Sequence, residues 1–227
     1  MASFDTFMVL KIGFRGANGY APENTMFSFK KALDFDVDVL HLDVRCSKGG
    51  RPIVFRHKFI NGFRVENTSA KRLRRFDVGG NKPIPTLQEV FDFGSTSVNY
   101  MLMIHDAKAI NGVLALIHRY VTKYGWSAEQ FILASTSKTI LRRIRRRNKL
   151  VYTAYCSVLP FRLFSVARKY GIDILVVHHQ FLYEGFIRKA HNRGLGVFVA
   201  VVDSKPEIEW FKDAGVDGVM SNYPDII

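Results

Sequence analysis

The chain has 227 residues and a formal charge of +13 at pH 7, from 33 Lys and Arg against 20 Asp and Glu. With 48% apolar and 13% aromatic residues it can bury a core of its own, which excludes global disorder. No apolar run approaches the roughly 20 residues of a membrane span, and the length suits a single α/β domain.

Apolar runs of strand character recur along the chain, separated by segments of helical spacing. The first covers residues 8–14. After Pro22-Glu23-Asn24-Thr25, the spacing of Met26, Phe29 and Leu33 predicts a helix. Residues 37–45 alternate, with Leu40, Leu42 and Val44 on one face and His41, Asp43 and Arg45 on the other. Lys48-Gly49-Gly50 is a turn, and Pro52-Ile53-Val54-Phe55 follows too soon for a helical crossover, so a hairpin excursion is expected. A helix over 86–93, a strand at 100–105 and a helix over 110–124 come next. Strands at 131–135, 150–155, 174–179, 197–202 and 216–222 alternate with further helical segments, among them Phe161–Tyr170 closing on Gly171. Ser204-Lys205-Pro206-Glu207 reads as a capping box opening the last helix. Leaving out the excursion, eight strands alternate with helices, the pattern of a (β/α)8 TIM barrel in one domain over 1–227. A doubly wound sheet is the competing fold, but no GxGxxG or Walker loop supports it.

Residues 142–149 hold six basic side chains and residues 71–75 hold four; without those ten the balance is +3. Such runs serve an anionic membrane surface, nucleic acid or a phosphorylated ligand, or are a solvated helix face; few aromatics interleave, which weakens nucleic acid. Two cysteines, Cys46 and Cys156, are too few for a disulfide framework and read as reduced, inert thiols in a cytosolic protein. The first residues show no basic segment ahead of a long apolar one, so no secretory leader is expected.

Active sites of such barrels form at the C-terminal strand ends. That rule selects Arg15, then His41, Asp43 and Arg45, then Arg56-His57, then His105-Asp106 with Lys108, then His178-His179, and Asp203. His41 and Asp43 share a face. A divalent ion held by His41, Asp43 and Asp106 would partner them, and imidazole with two carboxylates suits Mn²⁺, Fe²⁺ or Zn²⁺ better than Mg²⁺. The alternative is a hydrogen-bonded His–Asp pair with Arg45 as counter-charge. Arg15 is placed to fork onto a phosphate, or to form a salt bridge with Glu23 or Asp43. His178 and His179 face opposite ways, so at most one reaches the mouth, and a core or interface role is the simpler reading.

Residues 13–25, GFRGANGYAPENT, resemble the HRGxxGxxPENT opening of the glycerophosphodiester phosphodiesterase family. His41-Leu42-Asp43-Val44-Arg45 with Lys48-Gly49-Gly50 and Pro52-Ile53-Val54 is similar to its ELDV…KDG.PVV stretch. Residues 83–90, PIPTLQEV, resemble IPTLEEV, and residues 215–225, GVDGVMSNYPD, resemble GVDGIITDRPD. The resemblance runs in order from residue 13 to 225. It implies a metal-dependent (β/α)8 barrel that hydrolyses glycerophosphodiesters to glycerol phosphate and an alcohol, with Mg²⁺, Mn²⁺, Ca²⁺ or Zn²⁺ as candidate cofactor. It implies further that Arg15 contacts phosphate, Asp43 and Asp106 bind the metal, and Lys108 is the lysine of an acid-x-Lys motif.

The departures concern the chemistry. The two acid–base histidines of the family fall at Phe14 and Arg56, with His57 where the family has Asp, and His41 replaces a Glu. Phenylalanine transfers no proton, and an arginine with a pKa above about 12 stays charged at pH 7. Losing acid–base help lowers the rate by about 10²–10⁴ per group. His57 and His105 are the candidate catalytic replacements, but each lies one residue from a family position, and a one-residue shift on a strand reverses facing. The readings are a barrel that binds a phosphodiester or phospholipid-derived ligand through Arg15, Lys108 and Arg56 with the usual hydrolysis lost or impaired; a divergent active phosphodiesterase using His57 or His105; and a basic-surface protein acting through 71–75 and 142–149.

Overall fold

Short parallel strands whose alternate residues are apolar on both sides close on themselves when helices cover the outside. In the computed structural model, which describes residues 9–157 and 162–227, this closure is complete. Strand β1 (Leu10–Gly13) is followed by α1 (Met26–Leu33), β2 (Val39–Cys46) and β3 (Pro52–Val54). Hairpin strands β4 (Phe59–Ile60) and β5 (Phe63–Arg64) and the short α2 (Ala70–Leu73) and α3 (Leu87–Phe93) come next. Then β6 (Asn99–Ile104), α4 (Ala109–Tyr124), β7 (Phe131–Ser135), α5 (Lys138–Arg147), β8 (Tyr152–Ser157) and α6 (Leu163–Tyr170) alternate. The chain ends through β9 (Ile174–His178), α7 (Glu184–His191), β10 (Gly196–Ala200), α8 (Lys205–Asp213) and β11 (Gly218–Ser221). Met8 and Phe161, expected to open the first strand and α6, lie outside the described residues.

The sheet order is β1-β11-β10-β9-β8-β7-β6-β2, and β1 also pairs with β2, so eight parallel strands form a closed (β/α)8 barrel. Only β3 departs, pairing antiparallel with the end of β2 (Val44↔Val54, Cys46↔Pro52), which is the expected excursion. Inside the barrel, Ile12, Val39, Met101, Ile132, Ala154, Ile174, Phe198 and Met220 form one apolar plug. The larger core lies between barrel and helices. There Phe91, Tyr100, Tyr120, Trp126 and Phe131 pack as one aromatic cluster with centroids 5.0–5.9 Å apart.

Two local expectations are corrected. Ser204 does precede α8, but its hydroxyl makes no capping bond, and Glu207 lies 3.7 Å from His179 instead. The basic run on α5 is not all solvated. Arg145 turns back to the barrel, donating from Nε to the Gly171 carbonyl (2.9 Å) and from Nη2 to Thr153 Oγ1 (2.7 Å), and it pairs with Asp173. Arg145→Ala is expected to lower stability by about 1–3 kcal/mol, because the Asp173 carboxylate loses its counter-charge while the Gly171 carbonyl and the Thr153 hydroxyl each lose a donor. Arg143→Ala, whose side chain is exposed, is the control. Equal thermal midpoints for the two variants would show that the clamp contributes nothing.

Candidate active site

The first turn of the site is set by local chemistry. Arg15 and Gly16 take positive φ (54° and 83°) as the chain leaves β1, and a Cβ on Gly16 would stand 2.5 Å from Ser28 carbon and oxygen atoms. Glycine therefore lets the loop lie against α1. Thr25 and Ser28 form a capping box there, and Ser28 Oγ donates to the Arg15 carbonyl (3.0 Å). Asn24, at φ 58°, is turned onto β2: its Nδ2 donates to Asp43 Oδ2 (2.9 Å) and its Oδ1 accepts from the Asp43 amide (2.9 Å). Sequence reasoning passed over Asn24 as a site residue, although it stands inside the quoted PENT motif.

At the C-terminal end of the barrel a cavity of about 480 Å³ opens. Phe14, Arg15, His41, Asp43, Arg56 and His105 line it on the β1, β2 and β6 side. Thr136, Cys156, Ser157 and His178 line the rest, with Met101 and Met103 among the floor residues. Asp43 is the single carboxylate among the lining residues. It is 2% exposed and surrounded: His105 Nε2 lies 2.6 Å from Oδ1, Asn24 bonds Oδ2, and Arg15 Nε lies 2.9 Å from Oδ2. The Arg15 approach is a charge contact, because its N–H is not aligned on the carboxylate oxygen. Burial pushes the Asp43 carboxyl upward, but the His105 hydrogen bond and the neighbouring positive charge outweigh it and hold it well below the usual carboxylate range.

Arg15 pairs with Glu23 as well as Asp43, and its guanidinium stacks 4.4 Å over the Phe14 ring. Both salt bridges weighed for it are made, and it still borders the cavity. Arg56 differs: its guanidinium is exposed and has no hydrogen bond or ion pair among the described residues. Lys108 is turned out, 70% exposed and 3.3 Å from Glu66, and it does not line the cavity. Nor does His57, which is exposed and packs edge-on against Phe55. Of the two candidate replacement histidines, His105 is in the mouth. His178, read as a core or interface residue, also lines the cavity, its ring 4.4 Å from that of His179. Cys156 lines it too, but burial and then the Asp43 charge push its thiol up to about 12, so it stays protonated.

His41 is 4% exposed, lies 4.9 Å from the Phe14 ring, and its Nδ1 has no hydrogen-bond partner among the described residues. Burial lowers its pKa to about 4, with Arg15 and His105 adding to burial and Asp43 opposing it. The unfolded chain protonates this imidazole below about pH 6.5, whereas the folded chain does so only near pH 4. Stability therefore falls as pH drops through that window, by about 3 kcal/mol if the full shift is expressed. The measurement is the urea midpoint at pH 7 and pH 4.5. The drop should shrink in His41→Gln, and an equal drop in both proteins would contradict the assignment.

The family model described as the glycerophosphoryl diester phosphodiesterase family matches residues 15–226. The chain belongs to this family. A glycerophosphodiester phosphodiesterase of Caldanaerobacter subterraneus is 24% identical over 241 residues, covering 96% of each chain. One of Bacillus subtilis is 23% identical, covering 96% of this chain and 85% of its own. Among solved structures, an Oleispira antarctica phosphodiesterase in complex with the product sn-glycerol-3-phosphate superposes with a TM-score of 0.86 at 19% identity, covering 94% and 93% of the two chains. A Thermotoga maritima glycerophosphodiester phosphodiesterase superposes at 0.79 and 23% identity, covering 96% of each. These likenesses establish the barrel fold.

The family resemblance implied a divalent metal held by His41, Asp43 and Asp106, and the structure does not gather that set. Strand alternation turns Met101, Met103 and His105 to the interior, with Met103 in register with Asp43. Asp106 comes after the strand has ended, and Arg45 Nη1 donates to both of its carboxylate oxygens at 2.9 Å. The structure thus does not bring Asp106 to His41 and Asp43. Among the described residues no three His, Cys, Asp or Glu side chains are grouped to hold an ion. The interior position beside Asp43 carries a thioether, a poor ligand for a hard cation. The acid-x-Lys spacing matched at Asp106 and Lys108 falls past the strand end, while the two inward positions at that end are Met103 and His105.

Proposed function

We propose that the barrel mouth binds a phosphate-bearing ligand, a glycerophosphodiester or its glycerol phosphate moiety, and that the ordinary two-histidine hydrolysis is lost. The observation that carries this is Arg56: a guanidinium unpaired among the described residues, in a cavity whose one carboxylate among them, Asp43, is already matched by Arg15, Asn24 and His105. A site with two arginines and one neutralised carboxylate favours an anion. Phe14, which the motif resemblance matches to the family's first histidine, lines the same cavity, and it offers an apolar face in place of a proton carrier. The product-bound Oleispira relative supports a glycerol phosphate moiety as the ligand. In this reading Arg56 takes the phosphate oxygens, Arg15 is the fixed charge behind it, and His105 is held by Asp43 within reach of the anion. No step requires a metal ion.

Saturable binding of sn-glycerol 3-phosphate by calorimetry, without product release from glycerophosphocholine, supports the proposal; absence of saturable binding overturns it. A second reading, turnover by a divergent mechanism, is favoured by one observation. His105 and Asp43 form a 2.6 Å pair facing the cavity, as a general base and its orienting carboxylate would. Turnover abolished by His105→Ala would establish that reading.

A further inference from the structure

The segment between β2 and α3 holds most of the chain's excess charge. Residues 48–76 carry nine Lys and Arg and one acidic residue, Glu66, a local balance of +8. The segment is a built unit, with Ile53, Ile60, Val65, Leu73 and Ile84 as its own small core. It is tied to the rim of the mouth. Arg45 Nε donates to the Arg56 carbonyl (2.7 Å), the Lys48 amide to the Thr68 carbonyl (2.9 Å), and Glu66 lies 3.3 Å from Lys108. Arg56 enters the cavity, and three residues later the chain reaches the β4–β5 hairpin, where Phe59 is 56% exposed and Phe63 37%. Phe63 stacks on Phe76 and is roofed by the Arg72 guanidinium at 4.0 Å. Beside it a groove of about 390 Å³ is lined by Lys48, Phe63, Arg64, Thr68, Ser69 and Arg72. Lys71 and Arg75 are exposed and unpaired among the described residues.

We propose that this rim docks on an anionic lipid bilayer, with Phe59 entering the headgroup layer and the cations of the groove receiving lipid phosphate. Exposed apolar rings flanked by cations, of which Arg64 and Arg74 are paired with Glu66 and Glu89, match the charge and polarity of such a surface. A single-stranded nucleic acid would want rings spaced along a channel for stacking, whereas these sit on one hairpin. The other basic run occupies the C-terminal part of α5, just before β8 begins, and therefore lies toward the end of the barrel opposite the mouth. Docking by the hairpin would set the cavity facing the bilayer. The surface is separate from the ligand reading of the mouth and stands or falls without it.

Co-sedimentation with phosphatidylcholine vesicles containing about 30% phosphatidylserine tests the proposal. Binding should exceed that to pure phosphatidylcholine and fall with added salt. Lys71→Glu with Arg75→Glu should weaken it by about tenfold or more, and adding Phe59→Ser should weaken it further, because each cation and the apolar ring contribute separately. The thermal midpoint and sn-glycerol 3-phosphate binding should be unchanged in both variants. Arg142→Glu with Arg146→Glu should bind vesicles as the parent does. No preference for phosphatidylserine vesicles would overturn the proposal. So would loss confined to the α5 variant, or a preference for a single-stranded oligonucleotide over the vesicles.

Discussion

Glycerophosphocholine incubated with this protein and Mg²⁺, Mn²⁺, Ca²⁺ or Zn²⁺ is expected to release no glycerol phosphate above the buffer control. In the proposed reading Phe14 and Arg56 stand where the family's two acid–base groups would act, and losing both would lower the rate by about 10⁴-fold or more. The donor set adds to this. Because Met103 occupies the interior position in register with Asp43, restoring the proton carriers does not restore the site. Phe14→His, Arg56→His and His57→Asp combined should therefore stay silent. Adding Met103→Glu to that variant should recover metal-dependent release, because the new carboxylate would face the cavity beside Asp43. Turnover by the parent chain, or full recovery in the triple variant without Met103→Glu, would contradict this.

Arg56→Ala is expected to weaken sn-glycerol 3-phosphate binding by about 10–100-fold, the loss of a charge-assisted hydrogen bond worth about 1.5–3 kcal/mol. The guanidinium is exposed and unpaired among the described residues, so its removal leaves no buried partner unsatisfied and the fold should be unaffected. Lys108→Ala is the matched comparison. Lys108 was expected to bind phosphate from the acid-x-Lys spacing, yet it points at Glu66 and not into the cavity, and its removal should change affinity less than about twofold.

That contrast marks what a linear sequence can convey. The eight strands, the excursion at Pro52–Val54 and the helices between them were legible because period, turn residues and caps are local signals. In the structure Thr25, Thr86 and Ser137 cap helices, signals that the sequence reading did not use. Facing at a strand end is not local. Whether His105 or Asp106 enters the mouth depends on where β6 stops against β2 and on the Arg45 guanidinium that takes the Asp106 carboxylate. Spacing favoured Asp106 because Asp106-Ala107-Lys108 keeps the acid-x-Lys interval; alternation from Met101 favours His105. Arg145 is similar: a run of arginines reads as solvated charge, and only the closeness of Asp173, 28 residues away, makes one of them a clamp. The Ser204 box failed for the converse reason, since a matching tetrapeptide does not oblige the hydroxyl to turn toward the helix. Arg15 was left open between phosphate and salt bridge; its positive φ and the Phe14 ring beneath it bring it to both Glu23 and Asp43.

The central claim is the proposed anion site, working without a metal and with Arg56 as a cation unpaired among the described residues. Calorimetric titration of sn-glycerol 3-phosphate into the protein, with and without EDTA and in parallel with Arg56→Ala, tests it most directly. The predicted result is one affinity regardless of EDTA, falling at least about tenfold in Arg56→Ala. Binding that disappears with EDTA, or that is unchanged in Arg56→Ala, would contradict it.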